Sequence, residues 1–494
     1  MRGRRAWSAA RRALPLGWST APLLALAAQV GLGLALPSPT LAAAGYAPPV
    51  YAQAAVAEAR GDALVASLDS AARAHVEHPT VAGASVAVVH RGRTLLRKGY
   101  GYVDLEWRVP TPEDGGASYQ IGSVTKQFTA TAVLLLAEEG RVDLDADLTR
   151  YVDFDTGGRR VPLRRLLDHT SGIKGYTEMP VFGELMMRDL PRDSLVRLVE
   201  REPFEFEPGT ALIYNNSAYF LLGLIIEEVT GQAYEDFIAE RLFRPLGMAD
   251  SYYCSERVVR ERRAHGYDAA GEDSLALAAY IDHTWPYAAG SLCSTVADLV
   301  RWNEALHGGQ VLTDASYRAM ISPAPLVDGT PVRYAMGLLA DSTDGRRSIG
   351  HGGGIPGFLT EGRYYPDDDL IVVVLQNSTS LVGPAVLGDQ LVELVLGPPE
   401  VEPAAAPYAG SLDELAGRYA GPARGGPLTV TVSVADGELS VEPESGAART
   451  PAYRGGLTWA DGGLLLTFVR EQGRVVALRW DTGGGHYVLR RQER

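Results

Sequence analysis

The alternation of apolar and polar positions predicts two pairs of β-strands that lie far apart in the chain. The early pair, residues 84–90 and 94–103, is separated by a glycine-containing turn and is typical of a hairpin. The late pair, residues 362–365 and 370–375, is joined by a turn rich in aspartate. Helical patterns and turns dominate the residues between them, from about 160 to 345. We therefore expect the two ends of this region to build one antiparallel sheet.

Apolar positions spaced three or four residues apart predict helices that would pack on both faces of this sheet. One helix covers 62–78, a second follows 121–128 and runs to about Glu139 with Gly140 as its stop, and a third covers about 384–396. The predicted fold class is α/β, of the α+β kind: an antiparallel sheet flanked by helices, with a helical subdomain.

The pattern changes after a proline- and alanine-rich stretch, residues 398–410, whose composition is that of a linker. Beyond it, residues 428–434, 464–469 and 487–489 are short apolar strands between glycine-rich turns. Residues 411–494 are therefore predicted to form a small, barrel-like all-β accessory domain.

The amino terminus has the pattern of an export signal. Five arginines precede an apolar run, residues 23–36, and small residues at 42–44 would allow cleavage. The alternative is a membrane anchor, but the run is shorter than the roughly 18 to 20 residues that span a bilayer. We therefore predict a signal peptide at 1–44, a flexible leader at 45–61, no stable membrane anchor, and export to the periplasm or the medium.

Composition narrows the range of expected partners but does not determine whether the two cysteines form a disulfide. The formal net charge of −14 argues against nucleic acid or an anionic membrane as the main partner, because phosphate binding needs clustered cations. The charge argues for no particular substrate; we expect a small-molecule or peptide substrate from the motifs described below, and the oligomeric state stays undetermined. The two cysteines, Cys254 and Cys293, could form one disulfide in an oxidising compartment or remain two buried thiols.

Candidate chemistry begins at Ser123 and Lys126, because the chain has only three lysines among 46 basic residues. Residues three apart share one face of a helix, and Ser123 falls at a helix start, where unpaired N–H groups favour developing negative charge. A partly buried lysine loses its proton more readily and can activate a serine hydroxyl, whereas arginine does not deprotonate in proteins. The alternative is a capping serine with a surface lysine.

Two further stretches carry candidate polar groups. Tyr214 precedes Asn215 and Asn216 ahead of an apolar helix. A tyrosine beside a lysine cation can titrate well below its usual pKa and relay a proton. The Asn216 amide could position a substrate amide. His351 opens a run of three glycines that ends at Gly354 and would let a substrate approach the backbone. Alone, each stretch is better explained as a turn or a packed loop.

Together the three motifs, Ser-x-x-Lys, Tyr-x-Asn and His-x-Gly in this order, resemble those of the serine β-lactamase and penicillin-binding-protein superfamily. The branch of class C β-lactamases and D-alanyl-D-alanine carboxypeptidases is the most similar. The resemblance extends over roughly 80–395, within a predicted catalytic domain at 62–397. It includes further ordered matches at 166–172, 206–210, 222–231, 244–248 and 294–302.

The resemblance implies a role for each motif residue. Ser123 would be the acylated nucleophile, Lys126 and Tyr214 would share general acid and base duty, and Asn216 would orient the substrate amide. The backbone N–H groups of Ser123 and Gly354 would form the oxyanion hole.

His351 and Gly353 would contact the substrate under the same resemblance. His351 stands where many relatives have the lysine of a Lys-Thr-Gly triplet, and a histidine is only partly charged near pH 7. This departure predicts weaker recognition of a substrate carboxylate.

The sequence thus predicts an exported serine hydrolase that cleaves an amide or ester, of the D-amino-acid peptide or β-lactam type, through an acyl-enzyme. The alternatives are a carboxylesterase with the same residues and a penicillin-binding protein that acylates without efficient turnover. We expect no cofactor and no metal, because neither a His-Glu-x-x-His nor a His-x-His motif occurs. His169 is expected to be structural, at a helix end, and no catalytic residue is assigned to the accessory domain.

Overall fold

The structure is a computed structural model that describes residues 50–255, 257–342, 345–398 and 406–492, with side chains from residue 61 onward. The predicted signal peptide, 1–44, lies outside the described residues. Residues Ala57–Arg494 form one compact unit, and Met1–Val56 belong to another.

The described residues form eleven α-helices: α1 (Val50–Val76), α2 (Thr125–Glu138), α3 (Leu163–Leu167), α4 (Pro180–Leu185), α5 (Arg192–Glu200), α6 (Asn216–Thr230), α7 (Tyr234–Ile238), α8 (Tyr287–Gly290), α9 (Val296–His307), α10 (Asp314–Ile321) and α11 (Pro384–Leu396). Helix α1 begins at Val50, inside the segment predicted to be a flexible leader. Single helical turns of the 3-10 type occur at Gly122–Val124, Leu148–Arg150, Tyr176–Glu178 and Leu412–Glu414.

The strands before the linker are β1 (Gly83–His90), β2 (Arg93–Asp104), β3 (Val109–Pro110), β4 (Tyr119–Gln120), β5 (Leu212–Ile213), β6 (Tyr252–Tyr253), β7 (Tyr267–Ala269), β8 (Leu275–Leu277), β9 (Leu292–Ser294), β10 (Leu339–Asp341), β11 (Ser348–Ile355), β12 (Phe358–Tyr365), β13 (Leu370–Gln376) and β14 (Ser378–Thr379). Those after it are β15 (Gly417–Ala423), β16 (Gly426–Ala435), β17 (Glu438–Pro443), β18 (Ala452–Gly455), β19 (Thr458–Asp461), β20 (Leu464–Glu471), β21 (Arg474–Asp481) and β22 (Gly485–Arg491).

The main sheet joins the early and the late strands, as predicted. Its seven strands lie in the order β10-β11-β12-β13-β1-β2-β3, and β1 pairs antiparallel to β13 with Val86 opposite Val374. Successive side chains of a strand point to opposite faces. Val86 therefore packs into a core with α1 and α11, whereas Ala87 packs into the larger core that contains α2 and α6. Burial on both faces explains why β1 and β13 are almost wholly apolar, and it confirms the predicted fold class.

The region after the linker is all-β, as predicted. Strands β15–β22 form one sheet in the order β17-β16-β15-β22-β21-β20-β19-β18. Their inward side chains build a separate core, of which Tyr419, Trp459 and Phe468 are the large aromatic members. We call the residues of β15–β22 the β module.

The sheet of the β module continues into a strand that precedes residue 398. Strand β22 pairs with β5, with Gly485 opposite Ile213 and His486 opposite Leu212, and β5 becomes the ninth strand of that sheet. Because Tyr214 directly follows β5, this pairing places the β module beside one of the predicted site residues.

A buried arginine strengthens the same contact. The Arg333 guanidinium donates to Asp341 at 2.9 Å, to Asp481 of the β module at 3.0 Å, and to the Gly463 carbonyl at 2.7 Å. Both Arg333 and Asp481 are largely buried, and removal of Arg333 would take this cation away from Asp341 and Asp481 together. The β module is therefore held in a defined position against β5 and Arg333.

Candidate active site

The serine lies in a tight turn that enters the central helix. Ser123 occupies the 3-10 turn Gly122–Val124, immediately before the buried helix α2. Gly122 has φ of +50°, and a Cβ there would lie 2.9 Å from the backbone nitrogen of Gly354. Only glycine fits this conformation and this close approach, so the turn brings Ser123 against strand β11.

Lys126, three residues later, is fully buried and points at the serine. Its side chain has 0% exposure, and its Nζ lies 3.1 Å from Ser123 Oγ, 2.7 Å from Asn216 Oδ1 and 2.8 Å from the Ala289 carbonyl oxygen. The two carbonyl-type oxygens can only accept hydrogen bonds, whereas the serine hydroxyl can donate. A neutral Lys126 would donate to Asn216 and Ala289 and turn its lone pair toward the Ser123 hydroxyl proton.

The environment of Lys126 favours that neutral form. Burial lowers the pKa of Lys126 well below its usual value, the nearby positive charge of Arg424 lowers it further, and Glu178 acts in the opposite direction. The geometry and the charge distribution together suit Lys126 to accept a proton from Ser123.

Tyr214 is held on the other side of the lysine by β5 and the start of α6. Its ring centroid lies 4.7 Å from Lys126 Nζ, and its hydroxyl lies 3.5 Å from His351 Nε2 and near Ser123. Burial raises the pKa of Tyr214 above its usual value, although Ser123 and Arg424 oppose the rise. The expectation that Tyr214 titrates below its usual range is therefore wrong, because desolvation of the phenolate outweighs the nearby cations. Tyr214 keeps its proton at neutral pH and is suited to donate it.

Asn216 is oriented by two hydrogen bonds. Its Oδ1 accepts from Lys126, and its Nδ2 donates to Thr177 Oγ1 at 3.1 Å. Asn215, the preceding residue, caps α6 through a bond from the Ala218 N–H to its side chain at 2.9 Å. The cap fixes where α6 begins and turns Asn216 toward the lysine.

His351 lies behind the site. It is 8% exposed, and its Nδ1 donates to the Gly352 carbonyl while its Nε2 accepts from the Tyr334 hydroxyl at 2.9 Å. Burial and then the charge of Lys126 lower the pKa of His351 to about 3, so the imidazole is neutral at physiological pH. A substrate carboxylate would find no positive charge at His351.

The glycines after His351 have different surroundings. A Cβ at Gly353 would lie 2.1 Å from the carbonyl oxygen of Ile121, so this glycine allows β11 to pack against the serine turn. Strand β10 pairs with β11 only as far as Gly350, which leaves the edge of β11 at Gly354 facing Ser123. Ser123 and Gly354 thus line one cavity.

The cavity over Ser123 has a volume of about 180 Å³. Its polar side chains include Ser123 and Asn216, and much of its wall is apolar. The lining residues are Gly122, Ser123, Tyr176, Thr177, Phe182, Asn216, Ile281, Pro286, Ala289, Gly290, Gly354, Ile355, Pro356 and Arg424. Neither His351 nor Gly353 lines it.

Arg424, which sequence reasoning missed, reaches this cavity from the β module. It stands in the two-residue turn between β15 and β16, where Ala423 pairs with Gly426. Its Nε donates to Glu178 at 2.7 Å, and its Cζ lies 5.0 Å from the centroid of the Tyr214 ring. No local pattern marks a residue about 300 positions after the serine as part of its site; an arginine at the tip of a tight turn is the only sequence signal.

His169 lies at a helix end, as predicted. It has φ of +60° in the turn after α3, its Nδ1 accepts from the Asn215 N–H at 3.2 Å, and its ring packs against those of Tyr214 and Tyr334. Burial lowers the pKa of His169 well below its usual value. Away from this cluster, Cys254 and Cys293 are joined by a disulfide.

One group of potential metal ligands occurs among the described residues. Ligand atoms of Asp104, Glu106 and His265 lie within 4.8 Å of one another at the turn between β2 and β3. None of the three lines the cavity over Ser123.

Comparison with known proteins gives consistent matches. A family model described as Beta-lactamase matches residues 68–396. A D-aminopeptidase from Brucella ovis is 29% identical over 330 residues, which are 66% of this chain and 61% of that protein. The chain thus spans about three fifths of the length of this curated relative.

Solved structures of penicillin-binding-protein-like and amidase proteins are also similar to this chain. The D-amino acid amidase from Ochrobactrum anthropi SV3, complexed with L-phenylalanine amide, is 28% identical with a TM-score of 0.58, covering 67% of this chain and 98% of that one. The octameric penicillin-binding protein homologue from Pyrococcus abyssi is 26% identical with a TM-score of 0.59, covering 86% and 99%. These matches confirm the resemblance and the fold class predicted from the sequence.

Within the part of the chain that the structure describes, no helix combines the length and the apolar character needed to cross a bilayer.

Proposed function

Because the chain belongs to the β-lactamase family, we propose that it is an exported serine hydrolase that cleaves an amide bond of D-amino-acid peptides through an acyl-enzyme on Ser123. The observation that carries this proposal is the position of Lys126 Nζ. It lies 3.1 Å from Ser123 Oγ and is held by two acceptors that leave its lone pair for the serine proton. A buried amine with a lowered pKa is the form of lysine that can act as a general base.

In the acylation step, Ser123 Oγ attacks the amide carbon and its proton passes to Lys126 Nζ. The negative oxygen that forms on the substrate would accept hydrogen bonds from the N–H groups of Ser123 and Gly354. The C–N bond then breaks, the leaving nitrogen takes the hydroxyl proton of Tyr214, and Tyr214 recovers a proton from Lys126. The products are the acyl-enzyme and a free amine.

Deacylation would use the same groups in reverse. A water molecule attacks the ester carbon while Lys126 or Tyr214 accepts its proton, the bond to Ser123 Oγ breaks, and Oγ recovers a proton. The carboxylic acid product leaves and every protein group returns to its starting protonation state.

The substrate class is supported by the relatives and by the cavity. Two of the proteins most similar to this chain are named a D-aminopeptidase and a D-amino acid amidase. The apolar wall formed by Phe182, Ile281 and Ile355 suits an alkyl side chain. A carboxylesterase, or a penicillin-binding protein that acylates without efficient turnover, would use the same residues, so turnover has to be measured.

The test compares the wild-type protein with Ser123→Ala. A fluorescent fluorophosphonate should label the wild-type protein and leave Ser123→Ala unlabelled. Ser67→Ala is a matched control, because Ser67 is an exposed residue of α1 that bonds only a backbone carbonyl, and its labelling should equal that of the wild type. Persistent labelling of Ser123→Ala would exclude Ser123 as the nucleophile.

Steady-state turnover on one sample separates the alternatives. We expect hydrolysis of a D-alanyl dipeptide derivative with a clear preference over its L isomer. Turnover of a nitrophenyl ester alone would indicate an esterase, and a stoichiometric burst with a chromogenic cephalosporin and no further turnover would indicate a penicillin-binding protein.

A further inference from the structure

A second cavity lies on the far side of one wall of the Ser123 cavity. Strand β6, with Tyr252 and Tyr253, forms one side of it, and Tyr280 and Asp282 form part of the other. We call it the β6 cavity. Its volume is about 560 Å³, against about 180 Å³ for the cavity over Ser123, and lies within the usual range for small-molecule sites. No step of the proposed reaction uses it.

Residues 280–286 form a wall that the two cavities share. Tyr280, Asp282 and Thr284 line the β6 cavity, whereas Ile281 and Pro286 line the cavity over Ser123. Neighbouring residues of one short segment thus face different cavities. A ligand that moves or fixes the segment from one side therefore changes the wall on the other side.

Further connections lead from the β6 cavity to the candidate catalytic groups. Strand β6 pairs with β9, and β9 pairs with β4, the strand that ends just before the turn of Ser123. The Cys254–Cys293 disulfide joins the residue that follows β6 to the middle of β9. Shortly after the shared wall, the Ala289 carbonyl accepts the hydrogen bond from Lys126 Nζ. Packed backbone thus connects the β6 cavity to the candidate nucleophile and base.

Two of the three arginines that line the β6 cavity already have carboxylate partners. Arg192 pairs with Glu227, and Arg257 pairs with Asp189; neither of these carboxylates lines the cavity. Arg192 Nη2 also lies 3.9 Å from Glu235 Oε2, and Glu235 does line it. The positive charge of these two arginines is therefore largely offset.

The third arginine, Arg260, is placed differently. Its Cζ lies 4.7 Å from the centroid of the Tyr252 ring, and no hydrogen bond or ion pair joins its side chain to another described residue. The same holds for the carboxylate of Asp236, an exposed member of the lining. With Glu235 and Asp282 the lining has three carboxylates, and the two carboxylates paired to the other arginines give the neighbourhood a net negative charge. The cavity therefore presents one available cation and an excess of anionic groups.

We propose that the β6 cavity binds an amino acid or a short peptide whose two ends are free, with its carboxylate on Arg260 and its ammonium group among the three lining carboxylates. Arginine forms paired, charge-assisted hydrogen bonds with a carboxylate, and an ammonium group offers three donors. The rings of Tyr253 and Tyr280 offer apolar faces to the ligand side chain. A ligand with only negative charge would meet the excess of carboxylates.

Occupancy of the β6 cavity should alter the reactivity of Ser123, because the ligand fixes one side of residues 280–286. Hydrolysis of an unblocked peptide releases products that have a free carboxylate and a free ammonium group, so such products belong to the ligand class. This link to the reaction rests on the proposed function, whereas binding in the β6 cavity does not.

Three probes that differ only in their end groups test the site. D-methionine has both free ends, D-methioninamide has only the ammonium group, and N-acetyl-D-methionine has only the carboxylate. Calorimetric titration uses Ser123→Ala, so that no probe is hydrolysed during the measurement. It should give the lowest Kd for D-methionine, followed by the amide. The acetylated probe should bind most weakly, because carboxylates outnumber the available arginine.

Substitutions added to Ser123→Ala locate the site. Arg260→Gln should raise the Kd of D-methionine about three- to tenfold, since solvent weakens the interactions of an exposed charge, and should not raise the Kd of the amide. Asp236→Asn should raise both Kd values. Arg244→Gln is the matched control: Arg244 is also exposed but does not line the cavity, so its Kd values should equal those of Ser123→Ala.

Labelling of the wild type tests the connection to Ser123. D-methionine should change the rate of fluorophosphonate labelling to a new plateau above zero, with a half-maximal concentration equal to its Kd. Arg260→Gln should label at the wild-type rate without the probe, because Arg260 does not line the cavity over Ser123. It should shift the half-maximal concentration upward by the same factor as the Kd.

The possible failures are distinguishable. Absence of saturable binding of D-methionine, or a Kd that Arg260→Gln and Asp236→Asn both leave unchanged, overturns the site. A labelling rate that falls to zero at saturating D-methionine, with the same midpoint in Arg260→Gln, places the probe in the Ser123 cavity and also overturns it. A labelling rate that D-methionine does not change overturns the connection through residues 280–286. Absence of labelling in the wild type without any probe would instead overturn the proposed function, while the calorimetric comparison of the three probes still decides the β6 cavity.

Discussion

Replacement of Lys126 by methionine should remove activity and, at the same time, remove one component of the pH dependence of stability. Lys126 is fully buried, and burial lowers its pKa well below the usual value of 10.5. Between the folded-state pKa and 10.5, the unfolded chain binds a proton at this residue that the folded chain does not. The free energy of unfolding therefore rises with pH in that window.

The size of the effect follows from proton linkage. One proton contributes up to about 1.4 kcal/mol per pH unit to the free energy of unfolding inside the window, and nothing below the folded-state pKa, where both states hold the proton. The hydrogen bonds to Asn216 and Ala289 that Lys126→Met loses shift the whole stability curve without changing its slope. The difference between wild type and variant thus isolates the contribution of Lys126.

Urea unfolding at a series of pH values gives this difference, and the rate of fluorophosphonate labelling gives an independent measurement of the same pKa. Labelling by the wild type should fall as pH decreases through the folded-state pKa, because the protonated lysine cannot accept the Ser123 proton. Labelling of Lys126→Met, and of Lys126→Arg, should be slower by about 10²- to 10⁴-fold, the usual contribution of a general base.

Lys98→Met provides the control, because Lys98 pairs with Asp69 away from the cavity and should leave the labelling rate unchanged. The stability difference and the labelling rate should change slope at the same pH. If the stability difference does not change across the whole pH range, Lys126 keeps an ordinary pKa. If Lys126→Arg is labelled at the wild-type rate, Lys126 is not the base.

Two further predictions concern other parts of the molecule. Tyr214→Phe should reduce kcat for an amide about 10²-fold while affecting a nitrophenyl ester much less, because nitrophenolate leaves without needing a proton; equal losses on both substrates would exclude Tyr214 as the acid. Replacing both Cys254 and Cys293 by alanine should lower the free energy of unfolding by about 4 kcal/mol, because the disulfide closes a loop of sequence separation 39. Urea unfolding of the oxidised wild type and of the double variant measures this difference. An unchanged midpoint would mean that the bridge does not constrain the unfolded chain.

Much of the fold was predictable because its signals are local or periodic. Strands β1 and β13 are buried on both faces, so their apolar runs were visible in the sequence, and their pairing followed from the position of the early and late strands. Ser123 and Lys126 could be placed together because a helical turn fixes the distance between residues three apart. The start of α1 at Val50 was not predicted, since an alanine-rich stretch has no polar periodicity to mark it.

The electrostatics of the site were less predictable, because burial and distant charges determine them. Tyr214 was expected to lose its proton easily beside a lysine, but burial has the larger effect and the phenol stays protonated. His351 was expected to be partly charged, but the structure surrounds it with Tyr334, Tyr214 and the β11 backbone and keeps it neutral. In both cases the sequence identifies the group, and the desolvation that sets its charge appears only when other segments have packed around it.

Arg424 of the β module is another site residue whose position depends on distant segments. The proline- and alanine-rich composition of 398–410 predicts a change of architecture, and a boundary of this kind suggests that the site is complete before it. The pairing of β22 with β5 overrides that expectation, because it carries the Arg424 turn to the Ser123 cavity, where His351 contributes no positive charge. Among the described residues, the candidate nucleophile and base therefore come from one region, and the charged side chain that lines their cavity comes from the other.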